Sequence, residues 1–282
     1  VKKIVSIFAA CVFNTTLSTA AQPIAPHDSP FAFFWPRETA LLATGLAGQI
    51  IGQSRVQAMD PAGPEDLRRS ELSPLDRWNA GAWNPAADIA SDVLSFAIGP
   101  AMVYADLWHL HRQRRTGQGD RSWGPVLEDA LILAQAASWN SALNLNVRAT
   151  RVHPRPFVYG TAAPESERRE GQAAGSFYSG HASGAFLGAV YLATVYPLRH
   201  PEFEHQGLLW AGSLTAASGV AALRVAAGKH FPSDVIAGAA MGSLIGLGFV
   251  HLHLKDRDLW GWRATPWFTT DGAPGIVALR RL

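Results

Sequence analysis

The chain has 282 residues, of which 48% are hydrophobic and 16% charged, with a formal net charge of +2. That length fits one large domain or two small ones. The charge content is below the ~25% of ordinary soluble domains, and the near-neutral balance gives no reason to expect an acidic partner. The run Arg112, Arg114, Arg115 reads as a solvated or lipid-facing loop, and no nucleic acid is expected. Lysine is confined to Lys2, Lys3, Lys229 and Lys255, so arginine carries most of the positive charge, and Cys11 is the one cysteine.

At the N-terminus, Lys2 and Lys3 precede a short apolar run, Ile4 to Phe13, and the small residues Ser18, Thr19 and Ala20 follow. This order reads as a secretory signal over 1–20. A run of ten residues is too short to span a bilayer. After cleavage the chain would hold no thiol, hence no disulfide and no cysteine metal site. Residues 21–37 look irregular, Thr39 to Ser54 is charge-free, and 55–88 reads as a long polar connection with a short helix. Val93 to Ala105 is apolar between Asp92 and Asp106, and a basic loop with Arg112, Arg114 and Arg115 follows.

Four charge-free runs complete the chain: Ala130 to Val147, Ala182 to Leu198, Gly207 to Leu223 and Val235 to Val250. They sit at the lower edge of membrane-span length. No stretch shows clear strand alternation. The expectation is therefore an all-α helical bundle of about six main helices, membrane-embedded and without a sheet. N-terminal helices and loops would occupy 21–125, a core 126–252 and a tail 253–282. Gly180, Gly184 and Gly188 repeat every four residues, as do Gly238, Gly242 and Gly246. That spacing lines one helix face with small residues and allows close backbone approach, in membrane helices or in a densely packed soluble bundle.

Three polar clusters fall between the runs: "RATRVHPRP" from Arg148 to Pro156, "YSGH" from Tyr178 to His181, and "RVAAGKHFPSD" from Arg224 to Asp234. Each stands at a helix end, so the clusters can converge on one side of the bundle. Arg148, Arg155 and Arg224 supply forked donors suited to phosphate or another tetrahedral oxyanion. Ser179 and Gly180 precede a helix whose free N–H groups also suit an anion. Of His181 and His230, one can attack phosphorus and the other can protonate a leaving oxygen. Asp234, four residues after His230, can fix that imidazole's tautomer.

These motifs resemble those of the type 2 phosphatidic acid phosphatase superfamily, which includes membrane lipid phosphatases, soluble bacterial acid phosphatases and vanadium haloperoxidases. Arg155-Pro156 matches its first motif, with Arg148 at a lysine position. Ser179-Gly180-His181 matches the second, with Tyr178 in place of proline. Arg224, His230 and Asp234 match the third, with Leu223 in place of serine. The resemblance implies a metal-independent phosphatase with His230 as nucleophile, His181 as general acid and Asp234 orienting His230. It assigns the phosphoryl group to Arg148, Arg155, Ser179, Gly180 and Arg224. No cofactor is implied, save vanadate on His230 in a haloperoxidase. His153 has no part in the pattern.

Four functions compete on this basis: a lipid phosphate or diphosphate phosphatase at the outer face of the inner membrane, a soluble periplasmic acid phosphatase, a vanadium haloperoxidase, and a non-catalytic membrane protein. The helical runs favour the first. Phosphatidate, a polyprenyl diphosphate and a lipid A phosphate all remain open as substrates. The positive-inside rule favours five spanning helices with the motifs in the periplasm, the basic loop inside, and Thr39–Ser54 packed on the bundle or resting at the interface. Trp108, Trp260 and Trp262 suit a membrane aromatic belt or ordinary packing. The pairs His109/His111 and His251/His253 read as interface-flanking residues rather than metal ligands.

Overall fold

Proline opens most of the helices. It occupies the first turn of α1 (Trp35–Gln57), α2 (Pro74–Arg77), α3 (Pro85–Ile98), α5 (Gly124–Arg148) and α9 (Pro232–His253). At that position the missing N–H would have been unpaired anyway. The remaining helices are α4 (Ala101–Thr116), α6 (Glu165–Arg168), α7 (Gly180–Arg199) and α8 (Gln206–Ala226). The computed structural model describes residues 29–117 and 122–255, together with the backbone of three short strands beyond them. The signal expected over 1–20 lies outside the described residues.

The helical bundle stands as expected, with two corrections. The apolar run around Val93–Ala105 is not one helix. It is divided between α3 and α4, which meet at a 50° bend. Pro100 has no N–H to continue the ladder, and its ring crowds the carbonyl of Phe96. Tyr104 Oη donates to that carbonyl at 3.4 Å.

The second correction is a sheet where none was expected. Strands β1 (Asp258–Leu259), β2 (Trp262–Phe268) and β3 (Pro274–Arg280) form an antiparallel meander in the order β1-β2-β3. The register pairs Trp262 with Arg280 and Phe268 with Pro274. Pro266 and Pro274 obscured this segment's strand signal, because proline is a poor strand residue. The sequence still offers two runs rich in aromatic and branched residues on either side of Asp271-Gly272, a turn-favouring pair.

Two close helix pairs build the bundle. On α9, Gly238, Gly242 and Gly246 face α7, and a Cβ at Gly242 would stand 1.9 Å from the Ser183 carbonyl oxygen. On α1, Gly45 and Gly52 face α5 in the same way. Thus α1 packs on the bundle, one of the two placements expected for it. It starts beside the end of α9, where Ala32 N–H donates to His253 O at 2.8 Å, and ends beside the end of α5, where Arg55 reaches Asn146 at 3.0 Å. The buried carboxylate Glu38 ties this pair to α9, accepting from Gln135 at 3.0 Å and lying 2.8 Å from His253 Nε2. That contact is the role found for His253, while His109 stacks on His200 at 4.2 Å.

The main core cluster, including Phe31, Met102, Ile132, Tyr191 and Val250, fills the end of the bundle away from the three polar clusters. By length and composition α8 and α9 can each cross a membrane, and the bent α3–α4 pair qualifies as a third span. Among the described residues this is fewer than the five expected. Runs 130–147 and 182–198 turn buried polar groups inward, among them Gln135, Asn140 and Asn144 on α5 and Ser183 and Thr194 on α7. Large apolar side chains such as Phe96, Leu208, Ile236 and Leu244 are exposed on the three candidate spans.

Candidate active site

The C-terminal end of α8 sets up the site. The helix closes with Gly228 in the left-handed region at φ 71°, and a Cβ there would lie 1.8 Å from Ala82 O. Only glycine suits both the dihedral and the contact. The turn brings Lys229 and His230 back over the helix, and both N–H groups donate to Arg224 O, at 3.2 and 3.3 Å. The segment before α3 clamps the turn from outside: Asn79 Nδ2 donates to His230 O at 3.2 Å and Asn84 N to Ala227 O at 3.3 Å.

His230 is buried, and its Nδ1 faces Asp234 Oδ2 at 3.5 Å. Ser176 Oγ donates to the same carboxylate oxygen at 2.6 Å, and so does Phe231 N–H at 2.8 Å. The other oxygen, Oδ1, faces His153 Nε2 at 3.3 Å. With Nδ1 turned to the carboxylate, Nε2 is the free nitrogen of His230. Burial is the first reason that the His230 imidazole is lowered to about 3, against the opposing pull of Asp234 and with help from the charges of Arg155 and Arg224. It is therefore neutral around pH 7, with a lone pair on Nε2.

Three arginines converge from three elements. Arg148 ends α5, Arg155 lies in the following loop, and Arg224 is in the last turn of α8. Arg148 reaches the carbonyls of Gly175 and Gln172, each at 3.4 Å. Arg224 Nη1 pairs with Asp88 and donates to Ser91 Oγ at 3.0 Å. The Arg155 side chain has no hydrogen bond or ion pair to any described residue, and its Nε is buried. Burial, then the charges of Arg148 and Arg224, push this guanidinium down to about 9. Burial and these two positive neighbours together outweigh the opposing charges of Asp88 and Asp234. Arg151, the other arginine of the first cluster, is turned away into an ion pair with Asp66 at 3.2 Å.

Ser179 caps α7, accepting from Ala182 N at 3.4 Å, and its own N–H donates to Asp234 O at 3.1 Å. Gly180 follows, so close to Asn144 that a Cβ would come within 2.9 Å of its Oδ1. His181 is half-exposed, with Nε2 2.9 Å from Asp92 Oδ1. Burial, then the neighbouring Arg224, lower its imidazole to about 4.

The structure thus gathers all eight residues singled out in the sequence at one end of the bundle: Arg148, Arg155, Ser179, Gly180, His181, Arg224, His230 and Asp234. It adds others that the motifs did not reveal. Asp88, Ser91 and Asp92 from α3 meet Arg224 and His181, and Lys229 lies 3.3 Å from Asp88 and 4.7 Å from the Trp83 ring centre. The spacing of Asp88, Ser91 and Asp92 on one helical face was a usable signal. Ser176 and His153, which reach Asp234 from outside the three motif positions, had none. Hydroxyls are also present despite Leu223 in the serine position, from Ser91 on Arg224 and Ser176 on Asp234.

The arrangement can bind a tetrahedral anion among the arginines, offer an imidazole lone pair to it, and place a second imidazole beside it. Residues 130–258 match the family model described as the PAP2 superfamily. A lipid A 1-phosphatase of Porphyromonas gingivalis is 30% identical over 143 residues, which are 50% of this chain and 27% of that relative. The chain therefore spans about a quarter of that relative's length. No solved structure matches.

Proposed function

From the match of residues 130–258 to the PAP2 superfamily model, we propose that the protein is a metal-independent phosphatase that cleaves a phosphomonoester or diphosphate, most of all on a lipid, through a phosphohistidine at His230. The observation that carries this reading is the unpaired Arg155 guanidinium between Arg148 and Arg224, next to a neutral imidazole held by a carboxylate. A phosphoryl group bound there supplies the missing negative charge. His230 Nε2 attacks phosphorus while the bond to the leaving oxygen breaks, and His181 protonates that oxygen. Water then attacks the phosphohistidine, His181 takes its proton, and inorganic phosphate leaves. Asp92 and the substrate's own charge favour the imidazolium of His181 needed in the first step. No cofactor enters these steps.

A lipid substrate follows from the exposed apolar surface of the candidate spans, and the similarity to a lipid A 1-phosphatase makes a lipid A phosphate the first to test. The panel also includes phosphatidate, a polyprenyl diphosphate and soluble phosphomonoesters. Phosphate release from soluble esters alone would move the reading to a soluble acid phosphatase.

His181 should reveal itself through the leaving group. His181→Ala is expected to cost about 10²-fold or more with an alkyl phosphate, and little with p-nitrophenyl phosphate, whose leaving group needs no proton. Equal losses on both would remove His181 from the acid role.

We place the site in the periplasm. The basic end of α4 lies at the opposite end of the bundle, where His109 meets His200 at the end of α7, and clustered arginine favours the cytoplasm. In a Cys11→Ser background, a cysteine at Thr161 should react with an impermeant thiol reagent in intact cells, and one at Thr116 should not. The reverse pattern would invert the orientation.

A further inference from the structure

Asp234 stands between two imidazoles, and the family motifs use only one of them. His230 Nδ1 faces Oδ2, while His153 Nε2 faces Oδ1 at 3.3 Å. The two rings differ in what surrounds their other nitrogen. Nε2 of His230 has no described partner, which suits a neutral ring. His153 has an acceptor at both ends: Asp234 at Nε2, and the Pro154 carbonyl at Nδ1, 3.2 Å away. An imidazole with acceptors at both nitrogens satisfies them only when both carry a proton, that is, as the cation.

Resting on the phosphohistidine reading, we propose that His153 is a positioning residue: as an imidazolium it holds Oδ1 of Asp234 and neutralises that carboxylate, so that His230 stays neutral and nucleophilic.

The surroundings agree. Asp234 is fully buried, and its Oδ1 receives no hydrogen bond from any described residue and has His153 Nε2 as an ion-pair contact at 3.3 Å, whereas Oδ2 already receives Ser176 and Phe231. The ring of His153 is held edge-on against Phe231, with centroids 5.2 Å apart, and against Phe177. Its backbone is fixed as well, since Ser176 N–H donates to His153 O at 2.9 Å. The ionisable groups around it are Asp234 on α9, Asp76 on α2 and, across the carboxylate, His230. Asp76 accepts from Ser233 Oγ at 2.8 Å and adds a second negative charge. Burial alone would lower His153, but the Asp234 carboxylate 3.3 Å away outweighs it and raises the imidazole above its ordinary value.

The sign of the consequence is fixed. Removing a positive charge beside Asp234 leaves the whole carboxylate charge to His230, and its imidazole becomes easier to protonate. Protonated His230 has no lone pair to attack phosphorus. His153→Gln keeps a donor for Oδ1 but has no charge. It should move the acidic limb of kcat upward by about one pH unit, with KM little changed and activity near pH 8 within a few-fold of wild type. His153→Lys, which restores a charge, should bring the limb back towards wild type.

The assay is a pH–rate profile on the best substrate of the panel, with melting temperature recorded for each variant. An unshifted limb in His153→Gln, a downward shift, or a His153→Lys profile like that of His153→Gln would overturn the proposal. So would loss of activity at every pH in both variants, which marks a structural role. His230→Ala is measured first. If it still releases phosphate at the wild-type rate, the phosphohistidine reading itself fails and the proposal falls with it. Intact dependence on His230 with an unmoved limb refutes the role of His153 alone.

Discussion

His230→Ala will lose phosphate release by at least about 10³-fold, as expected when a nucleophile is removed from a site whose parts act as a unit. The loss should appear in kcat with every substrate of the panel, because bond making to phosphorus is common to all of them. Binding should survive. The three arginines come from α5, the loop after it and α8, and none of them depends on the imidazole for its position: Arg148 is held by backbone carbonyls and Arg224 by Asp88 and Ser91. The variant should therefore bind inorganic phosphate or vanadate with little change. In wild-type protein given a labelled substrate and quenched rapidly, an acid-labile, base-stable phosphoryl group should appear on the chain, and in His230→Ala it should not. Turnover persisting in the variant would take the nucleophile's role away from His230.

The largest effect on the fold is expected at Gly242. A Cβ there would stand 1.9 Å from the Ser183 oxygen and 2.7 Å from its carbonyl carbon. Both are backbone atoms and cannot swing aside, so Gly242→Val forces α7 and α9 apart. Overpacking in a close-packed interface costs 1–3 kcal/mol and sometimes more, and here about 3 kcal/mol or more is expected because the obstacle is main chain. The strain also reaches the site. Ser183 hydrogen-bonds Asn140, His181 lies two residues before it, and Asp234 sits two turns before Gly242 on the same helix. Gly184→Ala is the matched control. A Cβ at Gly184 meets nothing within 4 Å, and alanine favours a helix over glycine by about 1 kcal/mol. Melting temperature in detergent should fall steeply for Gly242→Val and hold or rise for Gly184→Ala. Equal stability of Gly242→Val and wild type would contradict the α7–α9 packing described above.

Much of the site was legible because its parts are local. Arg224, His230 and Asp234 lie within one helix end, one turn and one helix start, so their spacing in the chain fixes their spacing in space. The same holds for Ser179-Gly180-His181 at the start of α7. The glycine repeat of α9 was legible for a related reason: a period of four on a helix is a face, and a face of glycine implies a close neighbour. Which neighbour it was, α7, was not written there. The α3–α4 bend was hidden because hydropathy continues through Gly99-Pro100 while the backbone does not. The C-terminal strands were hidden because prolines interrupt their alternation.

By itself the sequence determined the helical bundle, the three motifs at helix ends and the eight residues that meet. All of these follow from short-range periodicity and from chain spacing that the backbone preserves. Only the tertiary structure decided what stands around those residues. Asp88 and Asp92 reach Arg224 and His181 across more than 80 residues of chain, and Ser176 and His153 reach Asp234 across more than 50. Such contacts leave no local trace, because the residues share no element and are brought together only by how helices and loops pack. For the same reason, the upward shift of the His153 imidazole is a property of the fold: it depends on the Pro154 carbonyl next to it in the chain and on Asp234, which only packing supplies.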